Sequence, residues 1–255
     1  MFFLFISPHL DDAVLSCGGL ISKLASSSHE VHVVTVFCGD PRTQKFSDIA
    51  REFHYDCNLS GSDIIQVRRN EDVQASKELG FNITHLSFLD CIYRKPNGKF
   101  IYNEHERVFS NIIYDDASFL NKINSSLSLF DLKKYDLVFI PLGVGKHVDH
   151  VITRQIMENI AFPKDLSSKL RFYEDSPYCF NIERAHSRHT NLVSYLEEIS
   201  VKQLYAKISG ITSYKSQFQM FWYNQQEALN NLKAYSNKIS NLPDKYYERY
   251  WRKKR

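Results

Sequence analysis

Phe2-Phe3-Leu4-Phe5-Ile6 runs without a break into Ser7-Pro8-His9-Leu10-Asp11-Asp12, and Cys17-Gly18-Gly19 follows shortly after. An unbroken apolar run closed by Ser-Pro reads as a short strand buried on both faces, as in a parallel sheet. Residues 13–26 mix apolar and small side chains and suit the helix that follows. An imidazole and two carboxylates therefore stand where a strand hands over to a helix, the edge at which open α/β sheets bind ligands. Imidazole plus carboxylate is a ligand set for a divalent cation such as zinc, with one carboxylate left to carry protons. The same residues also satisfy a plainer reading, in which Asp caps the helix and His is one loop residue among many. A second cluster is needed to choose.

Working outward, His32-Val-Val-Thr-Val-Phe37 is rich in β-branched residues and stops at Cys38-Gly39-Asp40-Pro41, a strand followed by a loop. Strand, helix and strand in close succession predict a right-handed parallel unit. Residues 66–79 predict a helix with Gly80 at its C′ position, and His85–Leu89 a third strand with Asp90 at its end. The stretch 91–115, containing Lys95-Pro96-Asn97-Gly98-Lys99, reads as a loop or hairpin inserted above the sheet. Residues 116–129 read as a helix, Asp136–Ile140 as a buried strand closed by Pro141, and Leu142-Gly143-Val144-Gly145 as a flexible loop. A helix over 148–160 and a strand over 170–173 come next. Residues 201–255 read as mostly helical, with Phe218, Phe221, Trp222 and Tyr223 taken as core rather than as a sugar-stacking stripe. Gly18 and Gly19 suit close packing of the first helix on the sheet, and the G-x-G-x-x-G of dinucleotide sites is absent. With no repeat or linker, the expectation is an α/β fold: a Rossmann-like, mostly parallel sheet flanked by helices, in a single domain over residues 1–255.

The composition fits that frame. Of 255 residues, 43% are hydrophobic and 24% charged, and the net charge of +3 is too small for nucleic-acid binding across the surface. Arg252-Lys253-Lys254-Arg255 is read as a solvated tail. The five cysteines (17, 38, 57, 91 and 179) are odd in number and form no C-x-x-C, which favours reduced thiols and a cytoplasmic protein over a disulfide framework. The opening apolar run is too short and lacks the basic flank of a signal peptide, and no stretch approaches a membrane span.

The second cluster is Lys146-His147-Val148-Asp149-His150, at the start of the helix after the strand 136–140. If the sheet is parallel, this strand ends at the same edge as the His9 loop, and the two clusters meet across it. P-H-L-D-D followed by G-G, and then H-V-D-H, resembles the LmbE/PIG-L family of zinc-dependent N-acetylglucosaminyl de-N-acetylases. Arg68-Arg-Asn-Glu71 with Ala75 and Leu79-Gly80 resembles the family's R-x-x-E helix, and Leu89-Asp90 its acidic residue after a strand. The resemblance covers most of residues 3–160, with weaker echoes in Tyr173-Glu-Asp175-Ser-Pro-Tyr178 and Glu248-Arg-Tyr-Trp251. Leu10 replaces the commoner Pro of the family motif, and Ala13 its usual Glu.

The resemblance implies that His9, Asp12 and His150 hold the metal, Zn2+ or alternatively Fe2+, leaving an open position for water. It implies Asp11 as general base, His147 as an imidazolium facing the developing oxyanion, and Asp149 as the group orienting the His147 ring. Either Asp11 or His147 then protonates the leaving amine. Arg68 and Asp90 are candidates for gripping sugar hydroxyls, with a structural ion pair as the other reading. The implied substrate is a small-molecule N-acetylated amino-sugar glycoside, such as a 2'-N-acetylparomamine-like aminoglycoside precursor or a glycopeptide sugar. A thiol-cofactor precursor and a surface glycoconjugate are alternatives, as is a non-catalytic sugar-binding protein. Metal-dependent phosphoester hydrolysis would want a phosphate-cradling loop or more carboxylates, and neither is evident.

Overall fold

The N-terminal apolar run becomes the middle of a seven-stranded sheet. The computed structural model describes residues 1–43, 45–59, 63–110, 117–161, 166–181 and 191–254. In chain order the elements are β1 (Phe2–Ser7), α1 (Asp12–Ser26), β2 (Glu30–Thr35), α2 (Asp48–Asp56), α3 (Ile64–Leu79) and β3 (Asn82–His85). Then follow α4 (His105–Val108), α5 (Ala117–Ser128), β4 (Leu137–Pro141), α6 (Val148–Ala161) and β5 (Leu170–Tyr173). The chain ends with β6 (Leu192–Ile199), α7 (Val201–Ser213), α8 (Lys215–Phe221), α9 (Gln225–Ser240) and β7 (Tyr246–Lys253). The strand order is β3-β2-β1-β4-β5-β7-β6. The first five strands run parallel, β7 lies antiparallel to β5, and β6 antiparallel to β7.

β1 shows why an unbroken apolar run is required there. Its side chains alternate between two cores: Leu4 and Ile6 join the layer containing Ile123 of α5 and Ile152 and Ile156 of α6. Phe3 and Phe5 join the opposite layer, with Val14 and Ile21 of α1, Ile208 of α7 and Leu229 of α9. Burying each such side chain is worth about 1.5–3 kcal/mol. A polar residue at any of positions 3–6 would forfeit that on one face or the other. Gly80 ends α3 in the left-handed conformation, at φ +76°.

Several expectations are corrected. The third strand is Asn82–His85 rather than 85–89; beyond it only Ser87 makes a bridge, antiparallel to Phe37. Leu86, Phe88 and Leu89 instead pack against the core as the chain crosses toward Asp90. Among the described residues of 91–115 there is no hairpin, but two 3-10 turns, Cys91–Tyr93 and Pro96–Gly98, and the short α4. Residue 116, where the next helix was expected to begin, lies outside the described residues. The helical reading of 201–255 holds as far as Ser240, after which Tyr246–Lys253 is a strand. Arg252 and Lys253 thus belong to β7 rather than to a solvated tail, and the Lys253 ammonium lies 3.3 Å from Glu158. Gly18 and Gly19 do allow close approach, but by other elements than the parallel strands. A Cβ on Gly18 would fall 2.9 Å from Lys207 Cγ of α7, and one on Gly19 2.6 Å from Ile199 Cδ1 of β6. Among the described residues, no helix is long and apolar enough to cross a membrane.

Candidate active site

Strand order reverses at the centre of the sheet, with β2 and β3 on one side of β1 and β4 and β5 on the other. The crevice between the carboxyl ends of β1 and β4 is the ligand position of such a sheet. The loop after β1 delivers His9, Asp11 and Asp12 to it, and the turn after β4 delivers His147, Asp149 and His150. All six are buried.

Helix capping does not account for the Asp pair. Asp11 occupies the N-cap position of α1 without a side-chain capping bond, at φ +146°. Ser7 Oγ instead accepts the Ala13 N–H at 3.0 Å. Asp12 turns inward: its Oδ2 lies 3.1 Å from His9 Nδ1 and 3.3 Å from His150 Nε2, and accepts the His9 N–H at 2.8 Å. Ligand atoms bound at zinc-like distances around a tetrahedral centre lie about 3.3 Å apart. One ring nitrogen from each of His9, His147 and His150 also lies within 4.8 Å of the others. The spacing of Asp12 Oδ2 from the two ring nitrogens, and the grouping of the three imidazoles, are each compatible with a divalent cation.

The far nitrogen of each of the two rings is held by a carboxylate. His9 Nε2 lies 3.1 Å from Asp149 Oδ2 and 3.6 Å from Asp90 Oδ2. Asp149 also accepts the Cys91 N–H at 3.0 Å and forms an ion pair with Arg94. The Arg94 guanidinium lies within 4.9–5.3 Å of the ring centroids of Phe37, Tyr102 and Phe119. His150 Nδ1 lies 2.6 Å from Asp175 Oδ1. The expected contact of the Asp149 carboxylate with His147 is absent. Only the Asp149 backbone N–H reaches that ring, donating to Nδ1 at 3.3 Å, which leaves the His147 proton on Nε2.

The charges follow from this packing. Burial and the Asp12 charge push Asp11 up to about 7, against the pull of Arg68 and His9. Burial also works against ionised Asp12, but His150 and His9 outweigh it and hold that carboxyl well below its usual range. For His150 burial opposes the charged ring, yet Asp12 and Asp175 raise it to about 9. Burial and the neighbouring His9 and His150 hold His147 well below the usual histidine range. This packing favours the neutral ring of His147 over the expected imidazolium.

Arg68 and Asp90 both border the cavity that opens from this cluster, about 290 Å³ in volume. Both are also tied into the site. Arg68 Nη2 lies 3.7 Å from Asp11 Oδ1 and donates to Leu10 O at 3.3 Å, while Asp90 Oδ1 accepts the Ile92 N–H at 3.2 Å. The outer wall is apolar, formed by Phe53 of α2, Val108 and Phe109 at the end of α4, Tyr178, and Met220 and Phe221 of α8. The aromatic stretch 218–223 therefore divides: Phe221 faces the cavity, Trp222 is core, and Tyr223 is 93% exposed. Sequence reasoning gave no site role to Arg94, nor to Asp175, which it held only within a weaker family echo. Asp175 carried a signal, an acid just past a parallel strand; Arg94 carried none.

Fold and site together define a class: α/β proteins with a buried His/Asp cluster able to hold a cation at the switch point of the sheet. The chain belongs to the PIG-L family, whose model, described as GlcNAc-PI de-N-acetylase, matches residues 4–161. A 2'-N-acetylparomamine deacetylase of Niallia circulans is 36% identical over 161 residues, which span 58% of this chain and 58% of that protein. The alignment thus reaches little more than half of that relative's length. A protein of the same name from Streptomyces fradiae is 25% identical over 221 residues, covering 84% of this chain and 72% of its own. Among solved structures, a deacetylase of the teicoplanin biosynthesis pathway superposes with a TM-score of 0.86 at 26% identity, covering 98% of this chain and 97% of that one. The same figures hold for a zinc-inhibited form of a teicoplanin deacetylase.

Proposed function

We propose that this chain is a metal-dependent N-deacetylase that hydrolyses the acetamide of an amino sugar in an antibiotic-precursor glycoside, of the kind named for its aminoglycoside and glycopeptide relatives. The observation that carries this reading is the division of the Asp pair. Asp12 Oδ2 sits between His9 Nδ1 and His150 Nε2, while Asp11 faces the cavity with only a 3.7 Å contact to Arg68. His9, Asp12 and His150 would hold the cation, Zn2+ or Fe2+. A divalent cation there would acidify water and polarise the acetamide carbonyl.

The chain's own groups supply the proton path. Asp11 takes a proton from the attacking water as its oxygen bonds to the carbonyl carbon. It then returns that proton to the nitrogen as the C–N bond breaks, giving a free amine and acetic acid, which keeps the water's other proton and ionises to acetate on release. A carboxylate raised to about 7 is suited to both halves of that exchange near neutral pH. His147 donates its Nε2–H to the carbonyl oxygen as charge builds there, acting as a neutral hydrogen-bond donor. Arg68 holds Asp11, and the apolar wall of Phe53, Phe109 and Phe221 packs against the sugar and its attached group. We read residues 1–255 as one unit, since α8 completes the cavity wall and β6 and β7 complete the sheet. All five cysteines are free and buried, in keeping with a reducing cytoplasm.

The test is acetate release from 2'-N-acetylparomamine, a teicoplanin-type N-acetylglucosaminyl aglycone and simple N-acetylglucosaminides. The protein is stripped of metal and then loaded in turn with Zn2+, Fe2+ or Co2+. Because a structural relative was solved in a zinc-inhibited form, zinc is titrated past one equivalent. Release that requires metal and stops on chelation is expected. No release from any substrate by protein carrying one cation per chain would overturn the reading.

A further inference from the structure

We propose that Asp175 is the positioning residue that sets the tautomer of His150, and that the same carboxylate clamps the loop carrying the second half of the site. Its two oxygens are used separately. Oδ1 lies 2.6 Å from His150 Nδ1, while Oδ2 accepts the N–H groups of Gly143 at 2.7 Å and Val144 at 2.8 Å. Both the Asp175 and His150 side chains are 1% exposed, so water does not compete for these bonds.

An ionised carboxylate only accepts hydrogen bonds, so the proton it takes from His150 must sit on Nδ1. Nε2, the atom facing Asp12 Oδ2 at 3.3 Å, is then the nitrogen that would give up its proton to a cation, while Nδ1 keeps its own. A carboxylate behind a ligating imidazole fixes the ring and raises its basicity. The loop needs its own support. Gly143, Gly145 and Lys146 adopt φ of +81°, +84° and +63° within a distorted 3-10 turn that is closed by a single bond from the Lys146 N–H to Gly143 O at 3.2 Å. The bonds from Asp175 to Gly143 and Val144 hold its entry, and the ring of Tyr178 covers its far end. A Cβ on Gly145 would lie 2.8 Å from Tyr178 Cγ. Asp175 thereby ties the β4 loop to the β5 loop at the point where His147 and His150 emerge.

This inference rests on the reading of His150 as a cation ligand but not on the choice of substrate. Asp175→Asn separates the two duties. Its amide oxygen can still accept from Gly143 and Val144, but its NH2 would then donate to His150 Nδ1 and move the ring proton to Nε2. The variant is expected to fold and to bind Co2+ about 10- to 100-fold more weakly in competition with a chromogenic chelator. In the metal-free variant, the 15N shifts of His150 are expected to report a proton on Nε2 and a bare Nδ1. In the unaltered protein the His150 Nδ1 proton is expected as a far-downfield, slowly exchanging resonance. Absence of that resonance would overturn the proposal whether or not the variant folds, as would Co2+ affinity in Asp175→Asn within twofold of the parent. Failure of the unaltered protein to bind any cation would instead overturn the metal-site reading, and the 15N measurements on metal-free protein would still judge Asp175.

Discussion

Replacing Asp11 with Asn is expected to raise stability and abolish turnover together. Asp11 is buried beside Asp12, and its carboxyl is displaced from an ordinary 3.8 to about 7. A carboxyl raised on folding carries no penalty below the lower value, a growing one between the two, and the full one above the upper. At 1.36 kcal/mol per unit, the full penalty in the metal-free protein at pH 8 is up to about 4 kcal/mol. Asn matches Asp in shape, is neutral, and tolerates unusual backbone better than most residues, which matters at φ +146°. With about 2–4 °C in Tm per kcal/mol for a chain of this size, chelated Asp11→Asn should melt several degrees above the parent at pH 8. The gain should shrink toward pH 5. Loss of the general base should lower acetate release by about 10²–10⁴. Thermal unfolding at both pH values, paired with acetate assays on metal-loaded protein, measures both effects. A variant that melts at or below the parent at pH 8, or turns over within tenfold of it, would refute the reasoning.

Three further outcomes follow from the packing. His150 is raised from 6.5 to about 9, so its contribution is complete below 6.5 and lost as pH climbs to 9. Chelated protein should therefore lose about 3 kcal/mol over that window in urea unfolding, and metal-loaded protein much less. Arg94→Met should cost up to about 3–5 kcal/mol, because it removes the guanidinium from the fully buried Asp149 and leaves that carboxylate only His9 and the Cys91 N–H; Arg94→Met with Asp149→Asn should recover part of that in the same assay. Gly19→Ala should destabilise by about 1–3 kcal/mol despite the better helix propensity of Ala. The new methyl would meet Ile199 and a Glu248 carboxylate already fixed by Lys207, Tyr250 and two backbone N–H groups. A rise in the urea midpoint of Gly19→Ala would contradict that packing.

What could be read from the chain follows how directly each contact is written in local pattern. β1 and β4 are buried on both faces, so their apolar runs stand out, and the polar residues just past them mark the switch point. β7 hid because its burial is polar: Glu248 and Arg249 lie inside, one against Lys207 and the other against Glu174, so Tyr246–Lys253 shows no strand-like alternation. β6 hid as an edge strand exposed along much of its length. β3 was displaced because Leu86–Leu89 is more apolar than the half-buried Asn82–His85 that pairs with β2. Within the site, His9, Asp12 and His150 were legible as residue types at a strand end. The partner of each ring was not, since Asp149 turning to His9 and Asp175 to His150 are decisions of tertiary packing.

The most direct test of the account is the position of the cation itself. Crystals of protein loaded with one equivalent of Zn2+ or Co2+, measured across the metal's absorption edge, should show one anomalous peak bonded to His9 Nδ1, Asp12 Oδ2 and His150 Nε2 at about 2.0–2.2 Å. Asp11 should stand beside it without bonding to it. A peak elsewhere, or one coordinated by Asp11 in place of Asp12, would contradict the division of the two carboxylates on which the proposed chemistry depends.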